Sequence, residues 1–339
     1  MKTTLQRLLW ATLAAFTLAG TVGAQPFPNK PVKIIVTFPP GGTPDIYGRV
    51  LAQELGTLWK QSVVVENKTG ASGTIGTDFV AKAVPDGYTL LFAADASITI
   101  APNLYTNIPY NPVRDLSPIA NVATGPFVML AYPGFPANDV KELIALAKKQ
   151  PGKISYASSG PGGQQHLSGE MLKSMAGLDI AHIPYKGFGQ GVNDVMAGHV
   201  PLIFGGITAS IQLTQGGKLK ALGVTSAKRA KALPNVPAIA EVLPGFKIEA
   251  WYGLMGPKGM PADLVKKINA DVLSILKRPD FQAKLSADAI EPVGGSPEDF
   301  AAQIATDLKD WAQLLKSINL KMDGVEGAWQ SLAPHCNPF

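Results

Sequence analysis

The sequence predicts an α/β protein of two units, and three observations predict it. Within about 60 residues of Lys33, strand-length apolar runs alternate with stretches of helical periodicity, the alternation of a parallel sheet with right-handed crossovers. From Phe127 the pattern restarts. In each unit a strand enters a Gly-rich turn and then a helix, first across residues 33–47 and again across residues 153–166.

The chain opens with Lys2 and Arg7, an apolar stretch over residues 8–18, and Val22-Gly23-Ala24. This is the pattern of a Sec-type signal peptide cleaved after Ala24. Its apolar part is shorter than the roughly 20 residues a membrane span needs. Cleavage would remove two cations and no acid, taking the net charge from +5 to +3. So small and evenly spread a charge argues against a nucleic-acid partner. The mature chain fits two domains of about 150 residues each. The only cysteine is Cys336, so no internal disulfide is possible and burial must hold the fold.

Ile34, Ile35, Val36 and Phe38 read as a strand buried on both faces. Pro39, Pro40, Gly41 and Gly42 follow as a turn poor in side chains. Thr43 is then the expected N-cap, Pro44 the first helical residue and Asp45 a first-turn acid. Ile46, Val50, Leu51, Leu55 and Leu58 carry this helix to about Trp59. Residues 62–66 form a second strand, residues 67–73 another Gly-rich loop, and Ile75 to Ala83 a helix. Residues 88–93 form a third strand. The segment from Ala94 to Ser97 stands at its carboxyl end, where ligands bind in open α/β sheets. Residues 102–118, with four prolines, read as an irregular connection.

The second unit has a strand at 127–132, a helix at 140–149 and a strand at 154–157. Ser158 to Gln165 is its Gly-rich loop, and His166 to Met175 the helix after it. Residues 180–184, 200–204 and 219–225 are further strands. Tyr185 to Gly189 is a loop, and a helix passes through Val192 and Met196. Residues 247–255 return as a strand to the first unit. Helices at 261–276 and 296–320 complete it, the last opening on a Ser296/Asp299 capping box. Residues 323–339 read as a tail outside the fold. The expected division is residues 25–125 with 249–322 in one domain and residues 126–248 in the other.

Parts for catalysis are missing from the sequence. It has no nucleophile elbow, Walker loop, zincin helix or paired cysteines, and its four histidines are isolated. No cofactor and no metal are expected. What is present suits binding. Two glycine-rich loops at helix N-termini offer N–H groups and the hydroxyls of Thr43, Ser158 and Ser159, a construction suited to an anionic ligand between them. Lys186 stands at a strand end, where its ammonium could complement an anion. Lys228, Arg229 and Lys231 read as a solvated turn. An exported hydrolase using Ser158 or Ser159 with His166 is the alternative from another class.

These motifs carry a resemblance. Residues 31–45, Pro85-Asp86-Gly87-Tyr88-Thr89-Leu90, Ser158-Ser159-Gly160 through His166-Leu167, His182-Ile183-Pro184-Tyr185-Lys186-Gly187 and Trp251-Tyr252-Gly253 together resemble the Bug receptors. These are the periplasmic solute-binding components of tripartite tricarboxylate transporters. The likeness covers residues 27–321 in order. It implies a Venus flytrap of two α/β domains joined by two crossover strands, a monomer that captures a small carboxylate, di- or tricarboxylates and aromatic ones included, for an inner-membrane permease, or one that signals to a sensor kinase.

On this chain the implied ligand-binding set begins with Phe38, Pro40, Gly41, Gly42 and Thr43, with Asp45 ordering the loop. Ala94 and Ser97 stand beside it. Ser158, Ser159, Gly163, Gln164 and His166 oppose it, with Tyr185, Lys186 and Gly187. Gly163 replaces a frequent serine, Pro201 a frequent acid after His199, and Phe204 to Ile207 is unusually apolar. With Phe188 and Phe204 offering apolar surface, a bulky or aromatic carboxylate is expected rather than citrate.

Overall fold

The structure is a computed structural model describing residues 27–185, 187–287 and 289–322. The expected signal peptide, Lys186 and the C-terminal tail lie outside the described residues.

β1 (Val32–Val36) is central to the first sheet, paired in parallel with β2 (Val63–Asn67) and β3 (Thr89–Ala94). Ile34, Ile35 and Val36 are all fully buried, because helices cover both sheet faces. Each such side chain contributes about 1.5–3 kcal/mol. α1 (Thr43–Trp59) joins β1 to β2, and α2 (Thr74–Ala81) joins β2 to β3. A wide helical turn (Ala96–Ile100) then leads into α3 (Ala101–Leu104) and α4 (Pro112–Asp115).

β4 (Leu116–Ala131) begins well before the expected Phe127. The cause is legible in its register. Shifts between Pro118 and Ala120 and between Asn121 and Ala123 break the two-residue period from which a strand is recognised. Beyond it come α5 (Val140–Lys149), β5 (Ile154–Ser158), α6 (Gln164–Ala176), β6 (Ile180–Pro184) and α7 (Phe188–Met196). β7 (Leu202–Gly206), α8 (Ile207–Gln215) and β8 (Lys220–Val224) complete the second sheet.

The chain returns through β9 (Glu249–Pro257), α9 (Ala262–Leu276), α10 (Pro279–Ala287), β10 (Glu291–Gly294) and α11 (Pro297–Ser317). The Ser296/Asp299 capping box is present, with both backbone amides answered by side-chain oxygens at 2.9 and 3.0 Å.

The strand order is β2-β1-β3-β9-β4-β7-β5-β6, with β8 and β10 also paired to β4. β4 alone belongs to both sheets. Its first part pairs antiparallel with β9 up to Pro126, and its last part with β7 and β8 from Phe127 onward. The second link between the sheets is the segment entering β9, where the Ile248 amide bonds the Thr225 carbonyl at 2.9 Å. The fold is therefore a two-sheet α/β architecture whose sheets join through β4 and through the segment entering β9.

Candidate functional site

The first loop is tied down by its own helix. Gly41 has φ +81° and Gly42 is extended at φ −76°, ψ 160°. The helix cap is Gly42, not the expected Thr43, and no side chain caps it. Asp45 instead reaches back, one carboxylate oxygen accepting the Gly41 amide at 2.9 Å. Its other oxygen takes Asn67 at 2.7 Å and Arg49 at 2.9 Å. Asn67 also donates to the Phe38 carbonyl at 3.0 Å. Burial would raise the Asp45 pKa, but these donors outweigh it and hold it below the usual carboxylate value. Asp45 therefore orders the loop, and the Gly41 amide is spent.

The second loop repeats the construction. Gly162 has φ +77° and Gly163, the cap of α6, is extended at φ −74°, ψ 160°. His166 stands where Asp45 stands in the first loop, and its Nδ1 accepts the Gly162 amide at 3.0 Å. Gln165 Oε1 accepts the Ser159 amide at 2.7 Å. No longer sequence repeat announces this likeness, since only Pro-Gly-Gly, at residues 40–42 and 161–163, is shared.

Between the loops lies a cleft of about 600 Å³, to which Phe38 contributes from one side and Ser159, Gly163 and Gln164 from the other. Tyr105 and Phe127 add aromatic wall. The Gly-rich loop expected at residues 67–73 also enters the site, which sequence reasoning had not assigned to it, and contributes Ala71 and Ser72. Gly70, Ala71, Ser72 and Gly73 all have positive φ, so two non-glycine residues hold the left-handed conformation beside the cleft. Ser72 Oγ lies 3.1 Å from the Tyr105 hydroxyl. No described residue lining the cleft is charged.

Two contacts cross from one sheet's loops to the other's. The Gln164 amide donates to Asp95 Oδ1. A Cβ placed on Gly162 would lie 2.1 Å from Leu104 Cδ2, so α3 sits directly against the second loop. Asp95 is fully buried, and burial first, then the nearby Asp307 carboxylate, pushes its pKa well up. Tyr252 hydrogen-bonds the Thr43 side chain, and burial raises its pKa too.

Beneath the second loop His166 and His182 stack with centroids 4.0 Å apart, and His182 stacks on Tyr156 at 5.0 Å. Burial lowers the His166 pKa to about 4 and the His182 pKa to about 2, so both rings are neutral at neutral pH. Ser158 Oγ lies 2.7 Å from His182 Nε2, not beside His166. That hydroxyl is fully buried, lies 3.0 Å from the Gly160 carbonyl to which it donates, and accepts the Gly160 amide at 3.2 Å. It thus closes a turn within the loop.

The other expected residues scatter. Ala94 and Ser97 are buried, and Ser97 bonds the Ala94 carbonyl at 3.2 Å. Pro40 is exposed on the loop. The Tyr185 hydroxyl donates to Asp194 at 2.5 Å. Gly187 caps α7, whose first residue Phe188 borders a separate groove near Lys218. Phe204 is core, edge-on to Tyr156 at 6.3 Å, and offers the cleft no surface. Arg229 and Lys231 pair with Glu241 and Glu291 at 2.7 and 3.1 Å beside a second groove.

A family model described as "Tripartite tricarboxylate transporter family receptor" matches residues 47–320. The protein BugT of Bordetella pertussis is 34% identical over 312 residues, covering 91% of this chain and 96% of its own. Among solved structures, R. palustris Rpa4515 with adipate has a TM-score of 0.81 at 32% identity, covering 87% of this chain and 99% of that one. MatC from Rhodopseudomonas palustris with bound malate has a TM-score of 0.76 at 28% identity, covering 85% and 100%. With Phe38 of the first loop and the paired glycines of the second lining a cleft between two sheets, this chain belongs to the receptor family of tripartite tricarboxylate transporters, among its Bug-type members.

Proposed function

We propose that the mature protein is a periplasmic, non-enzymatic receptor that captures a small carboxylate in the cleft and delivers it to a tripartite tricarboxylate transporter permease. The observation that carries this reading is the cleft of about 600 Å³ between loops of the two sheets. Solved relatives hold adipate and malate. In this reading residues 25–125 and 249–322 form one domain and residues 126–248 the other, closing as a monomer about the β4 and β9 crossovers. The hydrolase reading loses support at Ser158, whose hydroxyl is buried and occupied.

The wall favours an apolar body on the ligand. Phe38, Tyr105 and Phe127 contribute rings, and no described lining residue is a cation that would reward a second or third carboxylate. A bulky or aromatic carboxylate suits it better than citrate. Native mass spectrometry of the purified protein, then a thermal-shift panel of adipate, malate, citrate and benzoate, tests both statements. Strong stabilisation by citrate alone would refute the preference, and no stabilisation by any carboxylate, with none co-purified, would refute the function.

A further inference from the structure

Two hydroxyls on the cleft wall are bonded to each other and to nothing else among the described residues. They belong to Ser72 and Tyr105, whose oxygens stand 3.1 Å apart, and both residues line the cleft. A bond between two hydroxyls uses one of their two protons. Polar groups nearby are committed within the fold: the Gln164 amide donates to Asp95, Gln165 Oε1 takes the Ser159 amide, and His166 Nδ1 takes the Gly162 amide. The hydroxyl pair keeps one donor and spare lone pairs for a molecule in the cleft.

Both oxygens are fixed by the backbone that carries them. Ala71 and Ser72 hold φ +53° and +54° in a turn closed by the Gly73 amide on the Gly70 carbonyl at 2.9 Å. Thr74 Oγ1 adds a bond to the Ala71 carbonyl at 2.8 Å. Left-handed backbone at non-glycine residues persists only where its surroundings enforce it, and it collects at ligand sites. Tyr105 is buried, with its amide on the Ala101 carbonyl at 3.0 Å and a strand-like bridge to Met322. A Cβ on Gly162 would lie 3.4 Å from the Tyr105 hydroxyl, so the pair stands where the second loop meets the first sheet's loops.

What the pair can recognise follows from its donors. An ionised carboxylate offers about four acceptor sites and would meet one neutral donor here, with no charged side chain among the described lining residues. Leaving the rest of its acceptors dry is costly. A hydroxyl is matched, since it can accept the remaining proton and donate to a lone pair of the same two oxygens. We propose that Ser72 and Tyr105 are specificity-determining residues that read a hydroxyl substituent on the bound carboxylate, away from its ionised group. The inference rests on the carboxylate-receptor reading and narrows its ligand class to hydroxycarboxylates, aromatic ones included.

The experiment is calorimetric titration with acids that differ by one hydroxyl: benzoate against meta- and para-hydroxybenzoate, and succinate against malate. It compares wild type, the double variant Ser72→Ala/Tyr105→Phe, and Tyr88→Phe, which removes a hydroxyl outside the cleft that donates to Asn29 at 2.8 Å. In wild type a hydroxylated acid should bind about tenfold tighter than its parent, as one added neutral hydrogen bond allows. That ratio should fall to about one in the double variant and keep its wild-type value in Tyr88→Phe, with thermal melts confirming that each protein folds. Parents that bind wild type as tightly as their hydroxylated forms, adipate bound with no hydroxylated acid bound, or a ratio that survives in the double variant would overturn the proposal and leave the receptor reading standing. No binding by any of these carboxylates would overturn the receptor reading and this assignment together.

Discussion

The Thr225 hydroxyl accepts the Phe127 amide at 2.8 Å and donates to the Ile248 carbonyl at 2.5 Å, pinning together the two strands that connect the sheets. Phe127 is where β4 changes sheets, and Ile248 lies just before β9. Thr225→Val keeps the volume but strands a buried amide. It should cost about 1–3 kcal/mol, read as a shift in urea midpoint with unchanged slope. A loss within about 0.5 kcal/mol would show that the hydroxyl does not hold this junction.

Neighbouring glycines in the first loop should respond differently to a side chain. Gly42 has an ordinary φ of −76°, and a Cβ there would meet only Pro39 O at 3.4 Å and Pro44 Cδ at 3.8 Å. Gly42→Val should fold normally and lose most affinity for adipate or another carboxylate that stabilises wild type. Gly41→Val, at φ +81°, should also lose about 1–2 kcal/mol of stability. Wild-type affinity in Gly42→Val would take the first loop out of the site.

At the opposing loop the clash is across the cleft. Gly162→Ala would drive Cβ into Leu104 and strain a backbone held at φ +77°, whereas Gly163→Ala, at φ −74°, meets nothing nearer than the Gly160 carbonyl at 3.8 Å. The first should weaken carboxylate binding by about tenfold or more, and the second should leave it near wild type. Calorimetric titration of both separates a steric block to closure from a general intolerance of the loop.

Acid should destabilise the second unit. His166 and His182 are uncharged in the fold, whereas their unfolded counterparts protonate near 6.5. Below that value the unfolded state binds more protons, so stability is lost as pH falls from about 6.5 towards 4. His166 alone accounts for about 3 kcal/mol over that range. Thermal melts between about pH 7 and 4.5 should show this slope, and His182→Asn should flatten it. Melting temperatures flat across the range would exclude these rings as its source.

The legible parts of this molecule carried local signals. β1 declared itself by an apolar run, and both cleft loops by paired glycines at a strand-to-helix junction. The loop at residues 67–73 was legible as a Gly-rich loop but not as cleft wall, because the left-handed backbone at Ala71 and Ser72 that shapes it leaves no mark in residue type. Phe204 was misplaced because a strand covered on both faces has no alternation to tell one face from the other. Asp95 and Gln164 are 69 positions apart, and nothing in either neighbourhood names its partner.

The place of β9 in the first sheet bears on how the chain comes to be folded. It lies between β3 and β4, which do not pair with each other. As the polypeptide emerges amino end first, the second sheet can be completed once β8 has appeared, while the first still has an open seam. Only when residues 249–257 arrive can that seam close. Assembly from the inside outward is thus imposed by the topology, and a chain cut short before β9 would expose the unpaired edges of β3 and β4 to other molecules.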